Sequence, residues 1–255
     1  MAFKIALNAG HGLKTAGKRC SESLDPKETR EWFLNDRICD KIESKLKNYT
    51  GYSLLRLDDT TGAEDIPLIT RTNKANKFDA DFYLSVHHNA GVNGGKGGGV
   101  VAIVYTKASV ASCEWQKELY DTIIKHTGLK GNRATPLAKQ NLHECRESKM
   151  PCVLLECGFM DSATDVPIIL TDSFADKVAT ACVEVLVKRG KLVKKSNVTE
   201  PTKDTDTKNE TFLVKLDIKG TFTVTEVRQG EGSKSGWGKL KSGAAWVNLD
   251  NVTKV

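Results

Sequence analysis

Five apolar runs, each too short for a helix, are spread through the first 157 residues: FKIALN (Phe3–Asn8), YSLLRL (Tyr52–Leu57), DFYLSVHH (Asp81–His88), GVVAIVY (Gly99–Tyr105) and PCVLLEC (Pro151–Cys157). Their length, with β-branched and aromatic residues inside and turn-formers around them, predicts strands. Between them the period changes. Leu34, Ile38, Ile42 and Leu46 recur every fourth residue, while Asp40, Lys41, Glu43 and Lys45 fill polar positions, which predicts an amphipathic helix. Further helices are predicted over about Pro67–Lys77, Val110–His126 and Asp172–Arg189. Strands alternating with helices predict an α/β domain over residues 1–190, a mostly parallel sheet covered by helices on both faces.

After Gly190 the pattern lapses. The stretch KKSNVTEPTKDTDTKNE (Lys194–Glu210) has no aromatic residue and too little apolar surface to form a core, so 191–210 is predicted to be a flexible linker. Residues 211–255 return to short alternating runs, TFTVTEV and AAWVNLD, separated by a glycine-rich stretch, and predict a small all-β module.

Composition narrows the class. With 39% hydrophobic and 27% charged residues among 255, the chain is that of a globular protein, and no apolar run approaches the roughly 20 residues of a membrane span. The opening MAFKIALNAGHG lacks the extended apolar segment of a secretory signal, so the protein is expected to be made in the cytoplasm. Seven scattered cysteines without a C-x-x-C pair point to reduced thiols and away from a disulfide framework or cysteine zinc knuckle. The net charge of +6 suits an anionic partner; without an aromatic–basic stripe it does not indicate nucleic acid.

The candidate chemistry lies where strands end. In a parallel sheet the C-terminal strand ends share one edge, where open α/β sheets bind ligands. His11 follows the first strand in LNAGHG, His87 ends DFYLSVHH and Glu156 ends PCVLLEC. Glu28, in DPKETREWF, is placed in the first turn of the next helix, where the helix dipole favours a carboxylate. Two imidazoles and a carboxylate with an open position suit one catalytic Zn²⁺. Glu156 sits where a central strand should be apolar, and a carboxylate there needs a reason; beside a metal it can shuttle the proton between water and a leaving amine.

The motifs LNAGHG, ETREWFLNDRICDKIESKL, ITRTNKAN, SVHHNA and PCVLLECGFMDSATD, in this order, resemble the zinc-dependent N-acetylmuramoyl-L-alanine amidases of the amidase-3 type. The resemblance covers most of residues 1–189. It implies cleavage of the amide between N-acetylmuramic acid and the L-alanine of the peptidoglycan stem peptide, with metal ligands His11, Glu28 and His87 and catalytic Glu156. His88 and Asn89 are candidate substrate-binding residues; an alternative ligand role for His88 and a turn-bracing role for Asn89 stay open. Arg71 is read as structural, and the run Gly91–Val100 as a mobile rim without phosphate-loop spacing.

SGWGKLKSGAAWVNL (Ser235–Leu249) resembles a bacterial SH3-like cell-wall-binding module. Residues 211–255 carry a net +3, half the excess of the whole chain, and with Trp237 and Trp246 expected to be exposed they suit an anionic, sugar-rich wall polymer; a core role for Trp246 stays open. So small a module is marginal alone, which leaves self-association open. An amidase with a wall-binding tail resembles a phage endolysin, made in the host cytoplasm without a signal peptide and acting on the wall after release. A bacterial autolysin or sporulation amidase, and a zinc peptidase acting on the stem peptide, are the alternatives; a wall-binding protein with an inactive catalytic half is another.

Overall fold

The computed structural model describes residues 2–195, 224–228, 237–240 and 246–248. The chain divides into two units, Met1–Val198 and Thr199–Val255.

The first unit runs β1 (Phe3–Ala9), α1 (Glu31–Leu46), β2 (Tyr49–Thr50), β3 (Tyr52–Arg56), α2 (Leu68–Phe78), β4 (Phe82–Asn89), β5 (Val100–Tyr105), α3 (Val110–Thr127), β6 (Leu137–Gln140), α4 (His143–Glu147), β7 (Cys152–Phe159), α5 (Val166–Ile169), α6 (Asp172–Gly190) and β8 (Val193–Lys194). Six strands form one sheet in the order β3-β1-β4-β7-β5-β6. Every neighbouring pair is parallel except β5–β7. The fold is therefore the mixed α/β class that the alternating pattern predicts. Because β5 runs against β7, its glycine-rich start, and not its end, lies at the edge where β1, β4 and β7 terminate.

Strand alternation sorts the side chains. Phe82, Leu84 and Val86 of β4 pack with Leu34, Ile38, Ile42 and Leu46 of α1, with Trp115 and Leu119 of α3 and with Val178 and Leu186 of α6. The helical stripe read from the sequence is thus buried whole, each Leu or Ile contributing about 1.5–3 kcal/mol. Tyr83 faces the other way, into a smaller cluster with Ala75 of α2 and Cys145 of α4. Helices cover both faces.

The short elements β2, β6, α4, α5 and β8 escaped the periodicity reading. β6 is mostly exposed and carries no apolar alternation, and β2 and β8 are two residues each. The β2–β8 pair, with Leu192 buried, also makes the first residues of the expected linker part of this unit. All seven cysteines are free, and Cys113 alone is not buried. No helix among the described residues is long and apolar enough to cross a membrane.

In the second unit β9 (Val224–Arg228), β10 (Trp237–Leu240) and β11 (Trp246–Asn248) form an antiparallel sheet in the order β11-β10-β9. The expected linker from residue 196 onward, and the expected exposure of Trp237 and Trp246, lie outside the described residues.

Candidate metal centre

The edge at which β1, β4 and β7 end gathers the site. Gly10 follows β1 and donates its N–H to the Val86 carbonyl, continuing the β1–β4 register toward His87. His87 is in turn the register partner of Glu156 on β7, so these two side chains stand side by side on one face. His11 adopts φ 67°, a left-handed conformation uncommon for a residue with a Cβ and frequent where function holds strain. Between its flanking glycines it is the histidine, not either glycine, that takes the positive φ.

The third member is Glu31, not Glu28. Glu28 precedes α1 at φ 47°, and its 39%-exposed carboxylate pairs with Arg19 at 2.6 Å. Glu31 opens α1 with a 1%-exposed carboxylate. Its Oε1 lies 3.1 Å from His87 Nδ1 and 3.5 Å from His11 Nε2, and it accepts the backbone N–H of His88 at 3.2 Å. His11, Glu31 and His87 each offer a ligand atom within 4.8 Å of the others. The sequence carried a signal for this. Glu31 lies three residues before Leu34, on the buried stripe of the same helix, whereas Glu28 falls outside the helix altogether. A carboxylate on an apolar stripe was the residue that needed a reason.

Electrostatics follow from burial and crowding. For Glu31 burial opposes ionisation, but His87, His11 and Lys18 outweigh it and hold the carboxyl down at about 2. Burial pulls His87 down, and the Glu144 and Glu31 carboxylates reverse this, raising it to about 10 in the metal-free protein. Burial lowers His11 to about 4. Glu156 is pushed up to about 7, first by burial and then by the charges of Glu31 and Glu144 against the opposing His87 and Lys18. Glu31 Oε2 and Glu156 Oε2 are buried without a hydrogen-bond partner. Two imidazoles, an ionised carboxylate and buried oxygens without partners are a donor set that fits a divalent ion of the zinc type.

The supporting loops use the remaining motifs. Arg71 is 1% exposed and donates to Asn8 Oδ1 at 2.6 Å, to the Ala9 carbonyl at 2.9 Å and to the His11 carbonyl at 3.2 Å, so it anchors the glycine-flanked loop. Asp58 accepts the Ala9 N–H and is clamped by Arg56. The run Gly91–Val100 is held rather than free. Asp161 Oδ2 accepts the N–H groups of Gly91, Val92 and Asn93, and Asp165 Oδ2 accepts that of Gly99. His88 lies on the α1 side of β4, buried, its Nδ1 2.8 Å from Asn35 Oδ1, a contact that braces α1. The Asn89 side chain accepts the Ala90 N–H at 2.8 Å, the turn-bracing role.

Comparison with known proteins identifies relatives of this domain. Residues 5–188 match the amidase-3 family, described as N-acetylmuramoyl-L-alanine amidase. The endolysin of Bacillus phage SPP1 is 32% identical over 205 residues, which cover 80% of this chain and 72% of the endolysin. The sporulation-specific N-acetylmuramoyl-L-alanine amidase of Bacillus subtilis (strain 168) is 32% identical over 181 residues, 69% of this chain and 64% of that protein. The crystal structure of the N-acetylmuramoyl-L-alanine amidase from Clostridium difficile 630 superposes with a TM-score of 0.66 at 26% identity, covering 73% of this chain and 96% of that one. The chain belongs to the N-acetylmuramoyl-L-alanine amidase family.

Proposed function

We propose that this protein is a zinc-dependent peptidoglycan hydrolase that cleaves the amide between N-acetylmuramic acid and L-alanine, with His11, Glu31 and His87 holding the ion and Glu156 as general base and acid. The observation that carries the reading is the gathering of these three donor atoms within 4.8 Å at the sheet edge where Glu156 ends its strand, in a chain of this family. When bound, the ion supplies Lewis acidity toward the scissile carbonyl and a water of lowered pKa. The protein's part is positional. Glu31 is fixed by the His88 N–H and by its place at the start of α1, and His87 by the register of β4. Glu156, register partner of His87 at the end of β7, takes a proton from the attacking water and passes it to the amine of the departing alanine.

The match to the phage endolysin extends over 80% of the chain, against 69% for the sporulation amidase, which favours a lytic enzyme acting on the host wall. The basic segment 211–255 would hold it on an anionic wall polymer and raise the local concentration of cleavable bonds without altering the chemistry.

The test is zinc depletion and restoration. Purified protein should contain one zinc per chain, lose turbidity-clearing activity on purified walls when the metal is removed by a chelator, and regain it with stoichiometric zinc. Full activity in the metal-free protein would overturn the reading.

A further inference from the structure

Below the proposed metal centre lies a buried carboxylate that the mechanism does not use. Glu144, on the five-residue helix α4, is 3% exposed. Its Oε1 accepts from the Tyr83 hydroxyl at 2.5 Å, from Asn8 Nδ2 at 3.0 Å and from the Ser85 hydroxyl at 3.2 Å. Its Oε2 has the Ser85 hydroxyl at 3.3 Å, and His87 Nε2, buried and without a hydrogen-bond partner, lies 3.7 Å from it, one short closure from a hydrogen bond. Tyr83, Ser85 and His87 alternate onto one face of β4, so the carboxylate spans the height of the strand directly beneath the ligand imidazole. Asn8 is itself fixed by Arg71, whose Nη1 donates to Asn8 Oδ1 at 2.6 Å. The chain of contacts thus runs from Arg71 through Asn8 and Glu144 to His87.

A buried carboxylate is expensive; the Tyr83, Ser85 and Asn8 donors offset part of that cost, chiefly at Oε1, and leave Oε2 able to accept another donor. The charge acts on cationic or strongly polarised neighbours, and Arg71, reached through Asn8, is one. His87 is the other: its Nδ1 faces Glu31, and through Glu31 His11, leaving Nε2 as the nitrogen nearest Glu144.

We propose that Glu144 is a positioning residue of the metal centre, the outer carboxylate that holds the proton of His87 on Nε2 and turns Nδ1 toward the ion. An imidazole ligand whose outer N–H is accepted by a carboxylate is locked in one tautomer and one ring orientation and is a more basic donor, and removing such a partner typically weakens metal binding by about 10–100-fold. The inference rests on the zinc reading above, and the wild-type protein separates the two.

The experiment compares full-length wild type with Glu144→Gln, which keeps the shape and an acceptor for Tyr83 but removes the charged oxygen that faces His87 Nε2. Zinc dissociation constants are measured by competition with a chromophoric chelator, and thermal unfolding is followed on the zinc-free forms. The expected result is a dissociation constant raised about 10–100-fold in the variant, beyond any change in its zinc-free Tm. An unchanged dissociation constant with a lowered Tm would make Glu144 purely structural and overturn the proposal. A second measurement needs no variant: in zinc-loaded wild type, nitrogen-15 NMR of the His87 ring should place the proton on Nε2. A proton on Nδ1 would overturn the proposal even if the variant does not fold. A wild type that binds no zinc would fell the metal reading itself.

Discussion

The imidazole of His87 lies so close over the backbone of Gly10 that a Cβ at position 10 would collide with its Cε1, Nδ1 and Nε2 together. Gly10 does not take a positive φ, so it is required for space and not for backbone freedom. Gly10→Ala is therefore expected to fold, with the methyl group displacing the ring. Since displacement of a reacting group by about 1 Å can cost on the order of 100-fold, wall-lysis rates should fall by about that factor, with zinc bound more weakly. Metal content and turbidity assays on the purified variant check this.

Glu31 and Glu28, three residues apart, should behave oppositely. Glu31→Gln removes the charge between His11 and His87 and is expected to lose both zinc and activity. Glu28→Gln removes an exposed ion pair with Arg19, worth about 0–1 kcal/mol, and should keep both. Metal stoichiometry of the two variants, measured side by side, decides which glutamate is the ligand.

Glu156→Gln keeps the size of the side chain and leaves the three proposed ligands in place. It should retain one zinc per chain while kcat drops by about 100- to 10,000-fold, the usual reach of a general acid–base group. Normal lysis by this variant would remove Glu156 from the mechanism.

Arg71 ties the loop carrying His11 to the sheet through Asn8, the Ala9 and His11 carbonyls and Asp65. Arg71→Met should take a donor from the buried Asn8 side chain and Ala9 carbonyl and from the His11 carbonyl, and destabilise the protein by about 3 kcal/mol. Calorimetry of the zinc-free forms should then show a Tm lowered by on the order of 10 °C.

Much of this architecture was legible because it rests on periodicity. The stripe Leu34, Ile38, Ile42, Leu46 and the apolar runs of β1, β3, β4, β5 and β7 mark burial directly. His11, His87 and Glu156 were found because strand ends in a parallel sheet converge. The carboxylate that meets the two imidazoles is Glu31 and not the expected Glu28, a three-residue difference that arises because a helix start is the least defined point of a periodic pattern. Capping chemistry did not help either: Arg30 stands at the N-cap without a side-chain bond. His88 showed no sign in sequence of facing Asn35, since a one-residue step along a strand changes the face. Glu144 was hidden on a short helix whose relation to His87 is made only by tertiary packing. The pinning of Gly91 to Asn93 by Asp161 spans about 70 residues of chain and has no local signature.

The most direct test of the account is the chemical identity of the group released from the wall. Purified peptidoglycan digested by the zinc-loaded protein, then labelled at free amines and hydrolysed, should yield newly exposed N-terminal alanine in step with loss of turbidity, with no new reducing sugar ends. Amines appearing on any other stem-peptide residue, or reducing ends in place of alanine, would contradict it.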